Sequence, residues 1–122
     1  MAKDSSLEEA VAALRREFAE SLPGRLALLR SALDALRRDV TRDTLQNFHR
    51  PAHALVGTAG SYDARELSEP VTRLASLARR WLDGKALPPP RAELDEATRN
   101  LDALEMAIER YRRRVGSAST NR

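Results

Sequence analysis

Apolar residues recur at helical spacing along almost the whole chain. Leu7, Val11, Leu14 and Phe18 follow one another at intervals of three and four, and Ser5 or Ser6 offers an N-cap with Glu8 and Glu9 in the first turn. Leu22-Pro23-Gly24 interrupts that stripe, and Pro23 suits the opening turn of a second helix carrying Leu26, Leu29, Leu33 and Leu36. After the polar joint Asp39 to Asp43, with Thr41 or Asp43 as cap, a third helix carries Leu45, Phe48, Ala52, Leu55 and Ala59. Gly60-Ser61-Tyr62-Asp63 ends it. Asp63 with Glu66 resembles a capping box opening a fourth helix, with Leu67, Val71, Leu74, Ala78 and Trp81 on its apolar face. The run Asp83 to Pro90 ends in three prolines and reads as a loop, and a last helix holds Leu94, Leu101, Leu104 and Ile108.

Short joints between amphipathic helices make sequential helices antiparallel neighbours. The expected fold is all-α: an antiparallel up-down four-helix bundle with an additional short N-terminal helix. Residues 1–115 form its single domain, and 116–122 are a small, polar tail expected to be disordered. Pro51 and Pro70 fall inside expected helices, where each removes a backbone hydrogen bond, yet the apolar period runs through both.

Composition narrows the function classes. Of the 122 residues 42% are hydrophobic, 32% are charged and only 4% are aromatic, a helical profile with little to build a sheet. There is no cysteine, so disulfide scaffolds and thiolate zinc sites are excluded. No apolar run approaches the roughly 18 residues needed to span a bilayer. The opening MAKDSSLEEA carries acids where a signal peptide is apolar, so the expected location is cytoplasmic with no membrane association. The net charge of +3 is spread over interleaved acids and arginines, and only Arg110 to Arg114 forms a basic cluster. A charged last turn at a helix C-terminus accounts for that cluster without nucleic acid as a partner.

The stretch His53-Ala-Leu-Val-Gly-Thr-Ala-Gly-Ser61 carries the candidate chemistry. Glycine costs about 1 kcal/mol against alanine inside a helix, yet Gly57 and Gly60 both stand here beside one of only two histidines. At about 100° per residue, His53 projects roughly 130° from the centre of the apolar stripe, onto an accessible flank. Gly57 lies next to it, Gln46 and Arg50 lie nearby, and His49 and Gly60 lie between that flank and the stripe. Small residues around a protruding imidazole let another protein's surface approach it. Three other readings stand beside this one. His49 and His53 at i, i+4 would make a two-histidine metal site if carboxylates from other helices joined them. Ser61 with His53 would make a hydrolase site if the bundle offered a cleft. Gly57 and Gly60 would be structural if they merely let helices pack closely.

His53-x-Leu55-x-Gly57-Thr58-Ala59-Gly60-Ser61 resembles the active-site helix of histidine-containing phosphotransfer (HPt) domains. Phe18-x-x-x-Leu22-Pro23-x-Arg25-Leu26 resembles the family's helix junction, and Ala64-x-x-Leu67 with Leu74 its following helix. The resemblance implies a four-helix bundle and a phosphorelay intermediate, with His53 as the phosphorylated residue and Gly57 giving access to it. It implies response-regulator receiver domains and a hybrid histidine kinase as partners. No cofactor is expected on this chain, because the metal ion and lysine that stabilise the moving phosphoryl group belong to the receiver. The chain is too short for an ATP-binding kinase, so it is read as a carrier and not an enzyme, with a monomer as the expected state. An ordinary imidazole has a pKa of about 6.5, and its neutral form is a nucleophile at neutral pH without a dedicated base.

Two positions depart from the family pattern. Val56 stands where it has lysine, and Asp63 where the turn has glycine. Arg50, one turn before His53, is the candidate replacement for the missing cation. The alternative to a phosphorylated carrier is a helical adaptor that binds a receiver or kinase through the same face.

Overall fold

The computed structural model describes residues 2–84 and 88–120, apart from the side chains of 2–5 and 117–120. Four helices make up the bundle: α1 (Ala2–Arg38), α2 (Arg42–Ser61), α3 (Ser68–Leu82) and α4 (Arg91–Thr120), with a 3-10 turn at Arg65–Leu67 before α3. Each helix packs on the next, and α4 closes the ring against α1. Arg37 reaches Asp95 while Arg30 reaches Asp102 and Glu105, so α1 and α4 run antiparallel. The apolar stripes read from the sequence converge: Phe18, Leu22, Leu29, Leu36, Phe48, Leu55, Leu74, Trp81, Leu101 and Leu104 are all buried in one core.

The expected separate N-terminal helix does not exist. α1 runs unbroken through Pro23, and neither Ser5 nor Ser6 caps it, because the helix already begins at Ala2. Proline removes one intrahelical hydrogen bond, but the exposed ring of Pro23 sits between buried Leu22 and Leu26, whose packing holds the flanking turns in line. Pro51 is likewise carried inside α2. Pro70 lies in the first turn of α3, where its missing N–H has no intrahelical partner to lose. The tail expected from Gly116 onward is helical as far as Thr120, continuing from buried Val115; Asn121 and Arg122 lie outside the described residues. The same holds for residues 85–87 of the proline loop. Gly84, just past α3, takes a φ of 73° and its N–H donates to the Trp81 carbonyl, closing the helix C-terminus.

Two joints position α2. At its start Thr41 is the N-cap: the Thr44 N–H donates to Thr41 Oγ1, and the Thr41 N–H donates to Thr44 Oγ1. At its end the Asp63 N–H donates to the Gly60 carbonyl and the Ala64 N–H to the Ala59 carbonyl, the hydrogen bonds of a Schellman motif. Asp63 occupies the residue of that motif that needs a positive φ, here 52°. Asp63 therefore does not cap the following helix as the sequence suggested, and Glu66 makes no capping box with it. Glu66 pairs instead with Arg114, which donates to both its carboxylate oxygens and to the Asp63 carbonyl. Tyr111 donates to the Tyr62 carbonyl, and Phe18 stacks on Tyr62 at 4.7 Å between ring centres. The joint after α2 is thus clamped by α1 and α4. Arg114, a member of the basic cluster, serves this clamp.

Candidate functional site

His53 stands exposed on the middle of α2, while Ala52 and Leu55 on either side are buried in the core. The helical period alone produces this contrast. Gly57, one turn on, is exposed, and so is Gly60. A Cβ atom built on either glycine meets nothing within 4 Å. Close helix packing therefore does not explain them. The space beside His53 is open, as the access reading requires.

His49 and His53 stack face to face, with ring centres 5.5 Å apart and planes 16° from parallel. His49 is partly buried, and burial holds its pKa below the ordinary histidine value. The neighbouring His53 and Arg79 push the same way, while Asp83 opposes them. Arg50 is exposed and donates to Gln46 Oε1 at 3.1 Å, so these two residues hold each other on the outer flank. Val56 is partly buried and packs on the core, a contact for which an apolar side chain is suited and a lysine head is not.

An open groove between α2 and α3 contains His53. Its walls include His49 and Val56 from α2, Ser76 and Arg79 from α3, and Asp83 just past the end of α3. Of the residues nominated from the sequence, His49, His53 and Val56 meet in this groove. Gly60 lines a second, adjoining hollow with Val56, Asp63 and Thr72. Gln46, Arg50 and Gly57 lie outside the groove walls, on the flank of the same helix. Sequence reasoning missed Arg79. The available signal was the apolar stripe of α3: Arg79 follows buried Ala78 and falls at its edge, but only the packing of α3 on α2 tells which edge faces His53.

The metal and hydrolase readings gain nothing here. Among the described residues no group of three or more His, Cys, Asp or Glu can hold a metal ion. The Ser61 hydroxyl donates to the Gly57 carbonyl within its own helix and does not line the groove around His53. None of the described helices is long and apolar enough to cross a membrane.

The model of the Hpt domain matches residues 13–114. Neither a curated protein nor a solved structure matches the chain. The matched span takes in α2 with its exposed histidine, α3, most of α1 and most of α4. The chain belongs to the Hpt domain family.

Proposed function

We propose that His53 carries the phosphoryl group in a His-Asp phosphorelay, taking it from the aspartate of one receiver domain and giving it to another. Histidine phosphotransfer belongs to Hpt domains in general, and receiver domains and histidine kinases are their partners. The observation that carries the assignment to His53 is its exposure beside Gly57, where an added Cβ atom would touch nothing. His49, the other histidine, is partly buried and less open to a partner.

The step needs few groups from this chain. The lone pair of the unprotonated ring nitrogen attacks phosphorus, forming a P–N bond as the P–O bond to the aspartate breaks. The bonding pair leaves with the carboxylate oxygen, and the other ring nitrogen keeps its proton. The phosphorylated ring is then cationic and a good leaving group, so attack by a second receiver's carboxylate reverses the sequence. His53 acts as nucleophile and then as leaving group, and Gly57 leaves the space through which a receiver reaches it.

The test is incubation with a receiver domain phosphorylated by acetyl phosphate, followed by detection of acid-labile phosphate on this chain. Label on the wild type that disappears in His53→Gln is the expected result. Full incorporation into His53→Gln overturns the assignment. Receiver binding that survives His53→Ala, with no phosphate transferred to the wild type, favours the adaptor reading.

A further inference from the structure

We infer that Arg79, on α3, supplies the cation that neutralises a phosphoryl group on His53, in place of the lysine that Val56 replaces. This rests on His53 being the carrier. Four observations converge on it.

First, Arg79 lines the groove that contains His53, whereas Arg50 does not. Second, Phe48 stacks on Trp81, a contact that marks the register of antiparallel α2 and α3. In that register the level of His53 falls near Ser76, one turn before Arg79. The Arg79 side chain now turns toward Asp83, and the N-terminal lean common to helical side chains is the direction in which its long stem reaches that level.

Third, the neighbouring Arg80 is committed elsewhere. It pairs with Glu93, whose carboxylate also accepts from Trp81 Nε1 at 2.9 Å. Fourth, Arg79 is held loosely. Its Nε lies 3.5 Å from Asp83 Oδ1, and its side chain is 66% exposed. Such an exposed pair is weak, and an arginine before an acid at i, i+4 is the less favourable order. A phosphoryl group brings up to twice the charge of a carboxylate, and its oxygens suit the two-pronged guanidinium. Arg79 therefore exchanges Asp83 for the phosphoryl group when His53 is charged, and returns to Asp83 after transfer.

Phosphoramidate, a small donor that needs no receiver, tests this on the whole chain. The wild type takes up label on His53, and the Nε–H resonance of Arg79 shifts as it does so. Arg79→Ala labels about threefold more slowly, the size expected for one exposed charge contact. Adding Val56→Lys to that variant restores the rate, while Arg99→Ala, an equal loss of charge on α4, leaves it unchanged. A labelled wild type with an unmoved Arg79 resonance, or wild-type labelling by Arg79→Ala, overturns the inference and leaves the carrier reading intact. Absence of label from wild-type His53 overturns both.

Discussion

Replacing Gly57 separates what the helix needs from what a partner needs. Gly57 lies four residues before the end of α2, without a positive φ, and its missing Cβ would enter open space. Gly57→Ala therefore removes a helix-propensity penalty and adds no clash, a gain of about 0.8–1 kcal/mol. For a domain of this length that raises Tm by about 4 °C. Gly57→Gln keeps part of the gain, since glutamine is also a better helix former than glycine, but it fills the space beside His53. Transfer from a phosphorylated receiver should then fall at least about tenfold, because displacing the approaching reactants costs far more than the helix gains. Labelling of His53 by phosphoramidate should stay near the wild-type rate, since that donor is small. Urea unfolding followed by circular dichroism measures the first effect, and transfer of labelled phosphate measures the second. Loss of stability in Gly57→Ala would show that the glycine is structural. Wild-type receiver transfer by Gly57→Gln would show that the partner does not approach across it. Either result refutes the reasoning.

Three further outcomes are expected. Asp63→Gly should be more stable than Asp63→Ala by about 1 kcal/mol, because an L-residue with a side chain pays for the positive φ that glycine adopts freely; equal denaturation midpoints would contradict this. Pro23→Ala should stabilise the chain by about 2 kcal/mol, restoring an intrahelical hydrogen bond at an exposed position of a continuous helix, whereas a loss of stability would mean that the proline is needed there. Burial holds the folded-state pKa of His49 below that of the unfolded chain, so the unfolded state binds the extra proton as pH falls. The stability linked to His49 is full above pH 6.5 and declines below it. His49→Gln should flatten that part of a stability–pH curve, and an unchanged slope would assign the dependence to another group.

Much of the fold was legible because burial in a small bundle follows the helical period. Every apolar residue assigned to the third helix is buried in α2, and the same stripe placed His53 on the outside. The errors cluster where local chemistry was read without its surroundings. Pro23 carries the signal of a helix start, yet Leu22 and Leu26 beside it are buried and the helix continues. Asp63 followed three residues later by Glu66 looks like a capping box. The chain reversal after α2 instead needed a positive φ at Asp63, and Arg114, 48 residues beyond Glu66, took its carboxylate.

The sequence by itself determined the helical bundle, the exposed histidine and its small neighbours, because these depend on residue type and on a period of 3.6. Only the tertiary structure decided that Gly57 and Gly60 border open space, that Val56 packs on the core, and that Arg79 shares a groove with His53. Those facts depend on the register between helices. Core packing, with Phe48 against Trp81 among its contacts, fixes that register, and no spacing along one helix encodes it.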